Sequence, residues 1–546
     1  MDTRIRQTIF PIRVVHTFGH VENADSLLKE KPLQITTNEP DCALLKNTGS
    51  DPAAGVVLDF GRELHGCVRL LCFRSPGVQV QITCGESVAE AVSTIGEKNA
   101  TNDHAVRDWE AFVPGYSDHT FQETGFRFVC LRLKDPDTSI LLKSIVAVAI
   151  YRDIPYLGSF RCSNEILNRI YDTAAYTCHL NMQQYLWDGI KRDRLVWVGD
   201  MHPEMLTIRT VFGRQQVYED TLRFTRDTTP LPGWMNGYPT YSLWWLIQMW
   251  DWYMYTGDAT LAEESREYLI GLVGQILPTV HPDGSDTFPK YFLDWPSHEK
   301  PQEAAGSRAL LILALDAAAQ LMVLLGRQEL SNICHEKTIA LRSRTQPHYG
   351  AKQAAAMLSL AGWSDPRETA ALILEDGAMG WSTFMSYYLL KAALPGGMAN
   401  TLSALETYYG AMLQMGATTF WEDFHMEWLE NAAPIDELPP AGKSDIHADN
   451  GAFCYKGLRH SLCHGWSSAP TAFLAEEVLG IHISVPGCKN ITLAPDLGDL
   501  DWAEGTYPTP LGILQVSCRK TADGTLAVNW NAPEGMEVSL KIKKER

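Results

Sequence analysis

"CSNEILNRIYDTAAYTCHLNM", Cys162 to Met182, is the stretch that decides the fold. Its apolar residues recur at three- and four-residue intervals, the spacing of one face of a helix, and Ser163 stands ahead of them as the predicted N-cap. Everything before it has a different texture. "GVVLDFG", "CVRLLCF", "VQVQITCGE" and "FRFVCLRL" are short runs rich in β-branched and aromatic residues. Gly and Pro punctuate them, as in "SPGV" and "VPGY", so residues 1–157 are expected to form a β-sandwich. Residues 95–108, "IGEKNATNDHAVRD", read as a polar loop.

After Met182 the helical spacing continues in "YSLWWLIQMWDWYMYTGD", "SRALLILALDAAAQLMVLLGR", "TLSALETYYGAMLQMG" and similar runs. Roughly ten to twelve helices are expected over residues 158–480. Many carry an apolar stripe and a second, weaker one opposite, which suits a double ring whose inner helices are covered on most sides. The β pattern returns in "ILQVSCRK" and "TLAVNWNAP", which predicts a small β-domain over 481–546. The expected fold class is multidomain α and β, with a central helical toroid flanked by an N-terminal β-sandwich and a small C-terminal β-domain.

With 546 residues and 45% hydrophobic content, the chain can build two to four domains. Its formal net charge of −19 argues against nucleic acid or anionic membranes as partners, because no basic surplus neutralises phosphates. The 12 cysteines are scattered, form no C-x-x-C and mostly sit in apolar runs. The start, "MDTRIRQTIFPIRVVH", has no apolar h-region, and no run of about 18 consecutive apolar residues occurs. The setting expected from this is the reducing cytoplasm, with no membrane span.

Four stretches resist a purely structural reading. The first is "WDGIKRDRLVWVGDMHPE", which holds Asp188, Arg192, Asp193, Arg194, Trp197 and Asp200. So many charges cannot all be buried unpaired; they form either a solvated loop or the lining of a cavity. In a cavity, Arg forks onto hydroxyls or a carboxylate, and a partly dry carboxyl can hold the proton that a general acid needs. The second is "GATTFWEDFHMEW", residues 416–428, with Trp421 and Glu422 after a run of small residues. The third is "FPKYFLDWP", residues 288–296, with Asp294 and Trp295 in a helix break. The fourth, "RHSLCHGWSSAPT", holds His460 and His464. Two His four apart could bind zinc on a helix, but no third ligand stands at a diagnostic distance and Gly465 follows at once, so no metal is predicted. His464 reads instead as a hydroxyl-binding residue or a packed core histidine. With no phosphate-binding glycine loop, no cofactor is expected. Paired carboxylates on separate segments, with Trp, Arg and His around them, are the equipment for hydrolysing a glycosidic bond.

Together these residues resemble the bacterial α-L-rhamnosidases of glycoside hydrolase family 78. Members carry a motif close to "D-C-P-Q-R-D-E-R-L-G-W-T-G-D", beside "DGIKRDRLVWVGD" here, and "G-A-T-T-x-W-E", matched fully at 416–422. A His near the end of the helical domain matches His464 in "CHGW", and "VVLDFGRELHGCVRL" is similar to the family's β-sandwich. The resemblance runs from about residue 55 to the end of the chain. It implies an (α/α)6 toroid and inverting release of terminal α-L-rhamnose, with Glu422 as the general base. Asp188, Arg192, Trp197 and Asp200 then match sugar-binding positions, and Asp294, Trp295, Trp421 and His464 are the further binding candidates. One departure stands out: "K-R-D-R" replaces "R-D-E-R", where the family's Glu is the general acid. Aligned from the right, Asp193 takes that place with a side chain one methylene shorter. Longer members carry further β-domains, some of which bind sugar, so a small rhamnoside or oligosaccharide is the expected partner rather than a polymer. Another inverting (α/α)6 glycosidase, or a rhamnose-binding protein without activity, stays open, as does monomer against homodimer.

Overall fold

A computed structural model describes residues 3–49 and 53–542; the chain ends at 1–2 and 543–546, inside the two predicted β-domains, and residues 50–52 lie outside the described residues. The spine of the N-terminal domain is the strand Gly55–Arg74, which pairs antiparallel with Ser139–Arg152 and with Thr124–Leu133. Ten strands join around it, and Val56, Leu58, Val80, Leu131 and Ile145 fill the core between them. On the opposite face Val57, Phe128 and Cys130 pack with Val88 and Ala91 of a short helix. Both faces are therefore covered, which is why these strands read as nearly continuous apolar runs rather than as alternating ones.

The helical domain opens with Glu165–Asn181. Its cap is Asn164, whose side chain accepts the N–H groups of Ile166 and Leu167, and not Ser163 as the sequence suggests. Ser163 instead accepts the N–H of Asp501 at 2.9 Å and ties the helix start to the C-terminal domain. The ring closes where Glu165–Asn181 packs against Met398–Gln414. Two of its longest helices, Pro239–Thr256 and Pro301–Leu324, begin at a proline, whose missing N–H would be unbonded there in any case. By length and composition Pro301–Leu324 could cross a membrane. Here it is covered by Pro239–Thr256, Gln328–Arg342 and Lys352–Leu360, as expected of an inner helix.

The C-terminal region forms two small sheets, of four and three strands. The four-stranded one takes Ser159–Cys162 as its edge, paired with Trp502–Thr509. That segment falls within the helical domain of the sequence division, yet it belongs to this sheet, so the chain is stitched to its own C-terminal domain before the first helix begins.

The β-sandwich lies directly against the helical domain. A Cβ at Gly125 would come 2.8 Å from the backbone of Ile190 and Lys191. The buried Lys191 ammonium reaches back across this seam to Glu86 Oε2 at 3.0 Å and Glu90 Oε1 at 3.2 Å. It also donates to the carbonyls of Leu458 and His460. Overpacking the seam is expected to destabilise: Gly125→Ala should lower Tm, at a cost of about 1–3 kcal/mol. Gly274→Ala, on a helix with open space at its Cβ, should hold or raise Tm. Thermal melts of both variants check the pair.

Candidate active site

Backbone hydrogen bonds bring together segments that are far apart in sequence. Gly465 N–H donates to Asp188 O at 2.8 Å, and Gly189 and His464 form an antiparallel bridge. His464 N–H donates to Phe420 O at 3.0 Å, and Glu422 N–H to Ser461 O at 2.9 Å. A Cβ at Gly465 would sit 2.2 Å from the Glu204 carboxyl carbon, so a larger residue would have to displace that side chain. Between these segments opens a cavity of about 220 Å³. Eight of the ten residues expected to have catalytic or sugar-binding roles line it: Asp188, Arg192, Asp193, Trp197, Asp200, Trp295, Glu422 and His464.

Arg192 is at the centre. Its guanidinium donates through Nη1 to Asp193 Oδ1 at 2.8 Å and through Nη2 to Glu422 Oε1, while Nε donates to Arg459 O at 3.2 Å. Arg192 and Glu422 are 3% and 4% exposed, so this is a buried ion pair with each end neutralised. Burial pushes the Glu422 carboxyl up, but Arg192 and then His464 outweigh it and hold the group at about 2. The second carboxylate oxygen accepts the Ser461 N–H at 3.1 Å. Glu422 is thus a fixed carboxylate.

Asp193 reaches the cavity by a backbone turn: it and Arg194 have φ of 57° and 55°, the left-handed region that non-glycine residues rarely enter. Such a conformation costs of order 1–3 kcal/mol per residue and persists where the surroundings impose it. Here they do. The Asp193 carboxylate accepts from Arg192 and, through Oδ2, from the Trp197 indole at 3.1 Å. Arg194 points away, stacking over Trp187 and donating to Glu123 O.

Burial also acts on the remaining carboxyls. With Asp193 and Asp200 nearby, it pushes Asp188 well above the usual carboxylate range. Burial also raises Asp200, opposed by His464 and by the Tyr241 hydroxyl, which donates to it at 3.1 Å. His464 Nε2 lies 3.5 Å from Asp200 Oδ2, and neither ring nitrogen has a hydrogen-bond partner among the described residues. A buried imidazole with both nitrogens unused is suited to a polar guest.

Two predicted binding residues do not line the cavity. Asp294 is buried behind it, where it caps the turn Trp295–Ser297 by accepting the Ser297 N–H at 3.0 Å and bonds Ser382 at 3.2 Å. Burial raises it to about 6, and its role is to hold the Trp295 turn. Trp421 is 1% exposed and packs edge-on against Phe424 in the core. The cavity also takes in His104, Tyr238, Tyr241, Phe292, Cys454, Arg459 and Trp466, which the sequence reading did not single out. Phe292 and Trp466 lie inside stretches it quoted, Arg459 begins one, and Tyr241 opens a helical run. Nothing marked His104, a lone His in a polar loop. His460 and His464 lie on extended backbone rather than on one helix face, and His460 Nε2 accepts the Asp423 N–H at 2.9 Å. No group of three or more His, Cys, Asp or Glu side chains able to hold a metal occurs among the described residues.

Residues 155–375 match the bacterial alpha-L-rhamnosidase six-hairpin glycosidase domain, and residues 480–546 match the bacterial alpha-L-rhamnosidase C-terminal domain. An alpha-L-rhamnosidase of Alteromonas sp. (strain LOR) is 24% identical over 525 residues, covering 86% of this chain and 54% of the relative. The chain thus spans about half the length of this curated relative. Among solved structures, the family 78 rhamnosidase of Bacillus sp. GL1 superposes with a TM-score of 0.76 at 22% identity, over 95% of this chain and 55% of that one. A Klebsiella oxytoca rhamnosidase with rhamnose bound gives a TM-score of 0.65 at 19% identity, over 87% of this chain and 96% of that one.

The charge state of Glu422 depends on Arg192. Its folded value of about 2 lies below the ordinary 4.5, so the ion pair's contribution to stability is complete above 4.5 and is lost as pH falls toward 2. Arg192→Met should destabilise by about 3–5 kcal/mol, the cost of an uncompensated buried charge. It should also move the acid limb of kcat/KM upward, since burial is then opposed by His464 and no longer by Arg192. A pH–rate profile with an aryl rhamnoside checks the shift.

Proposed function

We propose that the chain is a member of the bacterial α-L-rhamnosidases of glycoside hydrolase family 78 and hydrolyses terminal α-L-rhamnosides with inversion of configuration. The observation that carries this reading is the placement of Asp193 and Glu422 on the two ends of one guanidinium, in one cavity. An inverting pair needs a carboxyl that protonates the leaving oxygen and a carboxylate that activates water on the other face of the sugar. Glu422, ionised at every working pH, serves as the base. Asp193 serves as the acid, at the place where relatives of this motif carry Glu. Its left-handed backbone supports that role by turning the shorter side chain to the cavity.

The rest of the lining then binds the sugar. Asp188, Asp200 and His464 take its hydroxyls. Trp197, Trp295 and Tyr238 supply aromatic surface for the ring's C–H groups and the methyl of rhamnose. Arg192 exchanges part of its fork for the guest's hydroxyls. A cavity of about 220 Å³ suits one terminal sugar, with the aglycone outside, which favours small rhamnosides or oligosaccharides. All twelve cysteines are free and ten are buried, which supports work in the reducing cytoplasm.

Turnover of 4-nitrophenyl α-L-rhamnoside tests the reading. Glu422→Gln should lose about 10²–10⁴-fold in kcat while rhamnose affinity stays within a few-fold. A near-native rate in that variant would remove Glu422 from the chemistry. Rhamnose binding with no turnover by the native protein would favour a sugar-binding protein instead.

A further inference from the structure

The N-terminal β-domain sends one side chain into the cavity. His104, from the loop between the helix Val88–Val92 and the strand Asp108–Pro114, lies with Nδ1 2.8 Å from Asp193 Oδ1. The same nitrogen accepts the backbone N–H of Asp193 at 3.0 Å. The loop is pinned by Arg459, which donates to Asp103 at 3.0 Å and to Cys454 O at 2.6 Å, and by Lys98, which donates to Asp449 at 2.6 Å. The backbone of His104 is left-handed, φ 64°, as is that of Asp193. Two unusual turns from different domains therefore meet side chain to side chain.

The hydrogen-bond roles constrain the protons. A backbone N–H only donates, so Nδ1 is the bare nitrogen of the imidazole and Nε2 carries the hydrogen. A bare nitrogen 2.8 Å from an ionised carboxylate oxygen would set lone pair against lone pair. The contact is attractive only with one proton held between Oδ1 and Nδ1. Arg192 and the Trp197 indole occupy the remaining acceptor positions of the same carboxyl.

Resting on the reading of Asp193 as the acid, we propose that His104 is its positioning residue and proton partner, forming a carboxyl–imidazole pair that enters each turnover with one shared proton. As the bond from the anomeric carbon to the leaving oxygen breaks, the proton of the pair passes to that oxygen. A solvent proton then restores it at the contact between the two groups, which the 41% exposed imidazole side chain leaves open to water. The proton taken from the attacking water goes to Glu422 and returns to solvent, so the cycle balances. The ionisable groups around the pair are Arg192 and, across it, Glu422, together with Asp188, Asp103, Arg459 and the Cys454 thiol. The partner suits an acid with a shortened side chain, because the imidazole holds the carboxyl from the side opposite Trp197.

The test is kcat/KM across pH for His104→Ala, His104→Gln and Asp193→Asn, on 4-nitrophenyl and on methyl α-L-rhamnoside. The methyl glycoside has a poor leaving group and depends most on protonation. His104→Ala should lose about tenfold or more on the methyl glycoside and about twofold or less on the aryl one. Its alkaline limb should move, because the proton is no longer shared between two groups. His104→Gln, which can accept the N–H but carries no titrating proton, should keep the shifted limb. Equal losses on both substrates with an unmoved limb would overturn the proposal while Asp193→Asn still showed the leaving-group dependence. If Asp193→Asn lost equally on both, the acid assignment itself would fall, and the role of His104 with it.

Discussion

A single buried guanidinium organises the site. Arg192 sits where water is excluded, and a charge there is tolerated only when partners replace its hydration. Glu422 and Asp193 are those partners, and the carbonyl of Arg459 satisfies Nε. The arrangement holds one carboxylate permanently charged and keeps a second within the same fork. It also leaves room for a polyhydroxylated guest, whose oxygens can take over hydrogen bonds that the carboxylates now make. Lys191, the preceding residue, points the other way into the β-sandwich. Two consecutive cations thus anchor the segment to two domains.

The β-sandwich is therefore a wall of the site rather than an appendage. Gly125 lets the 190–191 backbone lie flat on the sheet, Glu86 and Glu90 neutralise Lys191, and His104 reaches the acid. Three carboxylates face one ammonium at this seam. Burial, with further carboxylates nearby, pushes Glu63 well above its ordinary value; burial, despite Lys191, raises Glu86 to about 7. A raised carboxyl favours the folded state on the acid side, so the contribution of Glu86 is complete below about 4.5 and is lost as pH rises to about 7.

Much of this was legible in the sequence because it rests on periodicity and charge. The change from strand to helix spacing near residue 160 marks the domain plan, and a charge-dense segment beside Trp197 cannot be core. What was not legible depends on long-range contact. Asp294 and Trp421 share the composition of binding residues, but only packing shows that one caps a turn and the other fills the core. Ser163 and Asn164 are both good caps, and the choice was made by Asp501, more than three hundred residues away. The helix Pro301–Leu324 is apolar enough to cross a membrane, yet other helices cover it. His104 carries no local signal at all; its meaning lies in the left-handed turns that bring it to Asp193.

The placement of two carboxylates across one guanidinium is tested most directly by the stereochemistry of hydrolysis. Proton NMR during the first minutes of 4-nitrophenyl α-L-rhamnoside turnover, before mutarotation, identifies the anomer released. Water delivered by Glu422 to the face opposite Asp193 predicts β-L-rhamnose as the first product. First release of α-L-rhamnose would require a covalent intermediate on a closely approached carboxylate, and would contradict the arrangement described here.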